Sequence, residues 1–206
     1  MPFKSKPALW TAAILGQTED VQRLLLGGAD IQEKTQDGSS AIHRAASGGH
    51  SAIVELLLDQ GADANVETDS GDTPLLSAAS GGHIAVVKML LGKGAKVSAT
   101  SKLGVSPLHQ AAQWGNRSCV LELLRKVADV NGKTVDGDTA LHRATAAGHG
   151  VQPCDCISVR AQASDRSIHL LFPASPDTLS LAAAQLGFTS LHGASLPNPQ
   201  PSTIKT

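Results

Sequence analysis

Eight histidines and three cysteines carry most of the metal or acid–base chemistry open to this chain. Imidazoles titrate near neutral pH and ligate transition metals, and a thiolate is both a nucleophile and a soft-metal ligand. The tightest such group is Cys154-Asp155-Cys156 with His149 nearby. Its spacing is C-x-C, whereas a structural zinc site expects paired C-x-x-C groups and a fourth ligand, so no metal or cofactor site is expected. Six of the histidines fall into two series. His43, His109 and His142 share one phase of a 33-residue period, and His50, His83 and His149 share another. Catalytic partners have no reason to recur at a fixed interval along a chain, but structural positions do. Phosphate-cradling, nucleophile-elbow and zincin motifs of the types G-x-x-x-x-G-K-[ST], G-x-S-x-G and H-E-x-x-H do not occur. The chain therefore reads as non-enzymatic.

The elements that position the histidines repeat with them. "PALWTAA", "SAIHRAA", "TPLLSAA", "SPLHQAA" and "TALHRAT" place Trp10, His43, Leu76, His109 and His142 at 33-residue steps. Downstream of the first four, "EDVQRLLLGGAD", "SAIVELLLDQGAD", "IAVVKMLLGKGAK" and "SCVLELLRKVAD" keep the same register. In the third unit Thr73 is a candidate N-cap and Pro74 sits at the first helical position, where its missing N–H matters least. Leu75, Ala78 and Ala79 line one face of that short helix, and Gly81-Gly82 ends it. Ile84, Val86, Val87, Leu90 and Leu91 supply the apolar side of a second helix, with Gly94 placed for a left-handed cap. Helices this short are marginal alone, so each pair must lean on its neighbours. Cys119 falls in phase with Ile53 and reads as a small core residue.

These motifs resemble the ankyrin repeat, with its 33-residue unit and T-P-L-H-x-A signature. The resemblance covers about residues 4 to 149, as units 4–34, 35–67, 68–100 and 101–133 and a partial unit 134–149. It implies an all-α solenoid of stacked helix-turn-helix pairs joined by β-hairpin-like loops. It also implies a protein-binding function, on a concave face formed by the hairpin tips and the exposed side of each first helix. Carried over unit by unit, that face takes Gln36, Asp37, Ser39 and Ser47, then Asp69, Ser70, Asp72 and Ser80. It continues with Lys102, Leu103, Val105, Gln113 and Trp114, and ends with Val135, Asp136 and Asp138. Trp114 stands where other units carry Gly48, Gly81 and Ala147, and a large aromatic there can anchor a partner. Leu103 and Val105 are expected to extend an apolar patch beside it. Asp residues at the tips could attract a basic segment or serve as turn formers.

Charge excludes other partners. Lys and Arg number 17 against 18 Asp and Glu, so no basic field draws the chain to nucleic acid or an anionic membrane. No apolar run reaches the length of a membrane span, and an odd set of cysteines suits a reducing compartment. Lys4, Lys6 and the apolar run after them fit the repeat register better than a signal peptide. The expectation is a monomer, cytoplasmic with possible nuclear access, that binds another protein.

The rule fails after His149. Pro153 takes the slot of Val54, where a helix interior loses a donor and pays about 3 kcal/mol. Residues 150–206 are Ser- and Pro-rich and are expected to be divergent and mostly disordered. Two pieces differ. Asp177 to Leu186 has an N-cap and a helical apolar face, and "GFTSLHGA", Gly187 to Ala194, repeats the opening of a unit. The alternative to a scaffold is therefore a truncated or alternatively spliced fragment of a longer protein, with little function of its own.

Overall fold

The computed structural model describes residues 8–149, together with the backbone of 158–160 and 169–171. Helices alternate in two roles. The first of each pair are α1 (Leu9–Ile14), α3 (Ala41–Gly48), α5 (Pro74–Gly81), α7 (Pro107–Gln113) and α9 (Ala140–Ala146). The second are α2 (Thr18–Leu26), α4 (Ser51–Asp59), α6 (Ile84–Gly92) and α8 (Arg117–Arg125). First helices pack in sequence, α1 on α3, α3 on α5, α5 on α7 and α7 on α9; second helices form a parallel row, α2 to α4 to α6 to α8. The result is the all-α solenoid of stacked pairs that the resemblance implies.

After α1, which starts at Ala8 with no side-chain cap, each first helix starts on a hydroxyl and, in three units, on a ring. The Ser106 hydroxyl accepts from the His109 backbone N–H at 3.4 Å, and His109 Nδ1 accepts from the Ser106 N–H at 3.2 Å. Thr139 and His142 repeat this capping box, and Ser40 N–H donates to His43 Nδ1 at 3.2 Å. Two orphan N–H groups are thereby satisfied at each start. The other ring nitrogen reaches the next unit: His43 Nε2 donates to the Asp72 carbonyl at 3.0 Å and His109 Nε2 to the Asp138 carbonyl at 3.1 Å. This fixes the Nε2–H tautomer and leaves Nδ1 as acceptor. In the third unit Leu76 takes the ring's place, and Thr73 alone caps the helix.

The second histidine series ties the units in the opposite direction. His50 Nε2 donates to the Ile14 carbonyl at 3.0 Å and His83 Nε2 to the Ser47 carbonyl at 2.9 Å, each one unit back. Those acceptors lie at first-helix C-termini, where carbonyls lack helical partners. In the fourth unit Asn116 fills the same role, with Nδ2 donating to the carbonyls of Ala79 and Ser80 at 2.8 and 2.9 Å. Gly16, Gly49, Gly82 and Gly115, which follow the first helices of the first four units, are thus doubly required. Gly82 has φ +75°, and a Cβ there would come within 2.6 Å of Asn116 Oδ1.

The core runs as one apolar column between the rows. Leu9, Ile42, Leu75 and Leu108 from first helices, and Val21, Ile53, Leu57, Val86, Leu90 and Leu123 from second helices, are all buried. Cys119 belongs to it, and burial pushes its thiol pKa up, so it is a packing residue in the position the period assigned. Beyond α9, β1 (Ser158–Arg160) and β2 (His169–Leu171) pair antiparallel, with Val159 opposite Leu170. Cys154, Cys156, the helix expected at 177–186 and the unit opening at 187–194 lie outside the described residues.

Candidate partner-binding face

Between successive pairs the chain makes a five-residue turn with one geometry in four copies. Thr35 N–H donates to the Ser39 carbonyl at 2.8 Å, Thr68 to Asp72 at 3.0 Å, Ser101 to Val105 at 3.0 Å and Thr134 to Asp138 at 2.9 Å. Gly38, Gly71, Gly104 and Gly137 provide the positive φ that closes each turn. Neighbouring tips are then stitched together. Asp69 N–H donates to the Asp37 carbonyl at 3.1 Å, Lys102 N–H to Ser70 at 2.9 Å and Val135 N–H to Leu103 at 2.9 Å. One N–H and one carbonyl at each junction are satisfied inside this ladder, which holds the tip side chains in a row that a partner would meet.

Gln36, Asp37, Asp69, Ser70, Lys102, Leu103, Val135 and Asp136 are exposed along it, while Asp72 and Asp138 are half-buried. Two residues expected on this face have gone inside. Ser39 is 6% exposed, and its hydroxyl donates to Asp37 at 2.9 Å. Val105 is 5% exposed, at the junction where Leu76, itself buried, replaces the histidine of other units. With no ring to bond at that junction, the place of Asp72 and Asp138 is taken by an apolar side chain turned inward. Val105 therefore extends no surface patch.

Trp114 caps the far end of α7 and is 58% exposed. Leu103 precedes the same helix, so the two lie at its opposite ends, about 10 Å apart along the helical rise alone. The expected single patch is two features. One is the apolar tip pair Leu103 and Val135, joined by the ladder and 64% and 71% exposed. The other is Trp114, next in sequence to Gln113, which lines an open groove with Asp138, His142, Arg143, Ala146 and Ala147.

Electrostatics separates structural acids from available ones. Asp37 accepts from the hydroxyls of Thr35 and Ser39 and from the Arg44 guanidinium at 3.0 Å, which hold its carboxyl far below the usual carboxylate range. It staples a turn to α3. Ser70 Oγ donates to Asp72 at 2.6 Å in a similar local bond. Arg143, in Arg44's register, donates from Nη1 to Gln113 Oε1 at 3.0 Å and lies 3.9 Å from Asp138. Reading the sequence missed both arginines as face residues. The signal was present in the Arg that follows the histidine in "AIHRAA" and "ALHRAT".

Among the described residues no cluster of three or more His, Cys, Asp or Glu is arranged to hold a metal ion, and no helix is long and apolar enough to cross a membrane. A family model for ankyrin repeats, in three copies, matches residues 9–101 and 96–154. Comparison with curated proteins returns no match. Ankyrin repeats are generally protein–protein interaction modules and typically non-enzymatic. On the repeated capping geometry, the stitched tips and this match over most of its length, the chain belongs to the ankyrin-repeat family.

Proposed function

We propose that this protein is a non-catalytic scaffold that binds another protein along its concave face, with Trp114 as the anchor. One observation carries the reading: a large aromatic stands 58% exposed at a position where three other units carry Gly48, Gly81 and Ala147 and the first carries Leu15, likewise exposed. Burying such a side chain at an interface is worth more than any polar tip contact, and aromatic anchors dominate binding energies. Gln113 and Arg143 beside it offer a hydrogen-bonding rim. Leu103 and Val135 offer a second apolar foothold at the tips, flanked by Lys102, Asp69, Ser70, Gln36 and Asp136. The near-neutral charge suits a protein partner, not nucleic acid or a bilayer, and the protein works as a monomer in the cytoplasm, with access to the nucleus.

The test compares partners retained by the immobilised full chain with those retained by Trp114→Ala and by Lys88→Ala, which alters the exposed side of α6. Trp114→Ala is expected to weaken a specific partner by about tenfold or more, with helix content by circular dichroism unchanged. Equal retention by all three proteins would remove Trp114 from the site, and loss of helix content in Trp114→Ala would make it a packing residue.

A further inference from the structure

One edge of the stack changes sign along its length. It is formed by the C-terminal ends of the second helices and the loops that follow them, at four registers that recur in every unit. In the second unit these hold Asp59, Gln60, Asp63 and Glu67. In the third and fourth they hold Lys93, Lys96, Arg125, Lys126 and Lys133, with Asp129 as the one acid. All of these side chains are exposed. The second and third units have described neighbours on both sides, so the exposure belongs to the register and not to the end of the described stack.

The fold does not need these cations. Bases are favourable near helix C-termini, yet α4 ends on Asp59 with no base in its last turn and packs in the same row. Nor does the stack neutralise them. Lys93 bonds to Asp59 at 2.8 Å and Arg125 lies 3.9 Å from Glu122, but Lys96, Lys126 and Lys133 have no ion pair among the described residues. Val127 stands between Lys126 and Asp129 with φ +63°, where the earlier units place glycine. A Cβ at Gly61 or Gly94 would meet nothing within 4 Å, so a side chain in this register has no packing role, and Val127 is 82% exposed. Backbone strain without burial is kept where something outside the fold uses it. Between the two basic loops lies a cleft of about 140 Å³, lined by Ser98, Thr100, Asp129 and Lys133 among others, which a side chain can enter.

We propose that this edge docks an extended acidic segment of another protein, with its carboxylates on the loops of the third and fourth units and an apolar side chain against Val127. Neighbouring second helices lie roughly 10 Å apart, the rise of about three residues of extended chain, so carboxylates three residues apart meet successive units. The acids of the second unit repel the same segment and confine it to the basic half. Asp129 among the cations disfavours a surface dense in phosphates, whereas a peptide can set an amide or hydroxyl against it. The site is separate from the concave face and does not rest on it.

Fluorescence anisotropy of a labelled glutamate-rich peptide with one central leucine, titrated with the full chain, tests the proposal. Lys96→Glu and Lys126→Glu are each expected to weaken binding by about threefold or more, and Arg23→Glu, an equal change of charge on α2, to leave it unchanged. Val127→Gly should weaken binding by about threefold while raising the denaturant midpoint, a pairing that a purely structural role would not produce. Equal affinity for the glutamine version of the peptide, or equal weakening by Arg23→Glu, overturns the proposal, because the attraction would not belong to this edge. Unchanged affinity in Val127→Gly overturns the apolar contact. Loss of binding in Trp114→Ala places the peptide on the concave face and overturns the proposal too. So does tighter binding of a single-stranded oligonucleotide, which assigns the edge to phosphates, or self-association that Lys126→Glu abolishes, which assigns it to a second copy.

Discussion

Val127 and the two ring caps show how single residues set the energetics of a repeated frame. Gly28, Gly61 and Gly94 follow the second helices of the first three units with φ of +80°, +90° and +89°, and the fourth unit places Val127 there at +63°. A β-branched side chain in the left-handed region is strained, and Val127 is 82% exposed, so it recovers little by burial. Val127→Gly is expected to raise stability by about 1 kcal/mol, read as a higher denaturant midpoint; an unchanged or lower midpoint would mean that the valine's contacts outweigh its backbone. His43 and His109 set a pH dependence. Burial, foremost, holds both below the ordinary value of 6.5, with Lys34 beside His43 and Arg143 beside His109 acting in the same direction and the carbonyls and carboxylates of Asp72 and Asp138 opposing. Above 6.5 folded and unfolded rings are both neutral and the contribution is complete. As pH falls below that value the unfolded chain takes up protons that the folded rings refuse, so stability declines until the folded pKa is passed. The melting temperature should therefore drop between about pH 7 and pH 5, with a shallower slope in His109→Leu, which copies the solution the chain uses at Leu76. Asp37 acts in a separate window, its contribution being lost only below the ordinary carboxylate value of 3.8.

Within an element, what matters is how a short helix ends. α5 leaves carbonyls at its C-terminus that no helical N–H reaches, and Asn116 from the next unit covers two of them. Asn116→Ala is expected to destabilise by about 1 to 2 kcal/mol, and Asn116→His to restore most of it, because His50 and His83 make the equivalent bond elsewhere. Thermal melts of the three proteins decide the matter, and an Asn116→His protein no better than Asn116→Ala would break the equivalence. The helices themselves were legible in the sequence, since Thr73, Pro74, Gly82 and the apolar spacing of α5 and α6 are local signals with local causes. The ring caps were legible only in part: regular spacing marked His43 and His109 as structural, but their acceptors lie 29 residues away, at Asp72 and Asp138, and only the stacked fold brings them together. The burial of Val105 was illegible for the same reason, because it depends on what faces it across a junction. Trp114 was legible as an oddity of its register, whereas its separation from Leu103 required the direction of α7.

A solenoid has only neighbour contacts, so its weakest junction governs how the whole molecule opens. The junction between the third and fourth units lacks two polar links found between the second and third. Leu76 replaces the histidine that would bond the next tip, and Ser98 replaces Asn65, whose amide bridges to the Gly94 carbonyl at 3.1 Å and the Lys96 N–H at 2.8 Å. Serine is too short for that bridge, and a cleft of about 140 Å³ opens there, lined by Ser98, Ser106, His109, Asp129 and Lys133 among others. Buried apolar area at Leu76 and Val105 compensates for the lost ring, but nothing among the described residues fills the place of the amide. Under mild denaturant the units before this junction and those after it should therefore exchange their amides as two blocks, with different free energies of opening. Ser98→Asn supplies a side chain long enough to reach the Val127 carbonyl and the Asp129 N–H, which occupy the register of Gly94 and Lys96. It is expected to add about 1 kcal/mol and to merge the two blocks into one. Two blocks that persist with unchanged energies in Ser98→Asn would locate the weak link elsewhere, and a single block in the wild type would mean that the packing of α5 on α7 and α6 on α8 suffices to couple the array without the bridge.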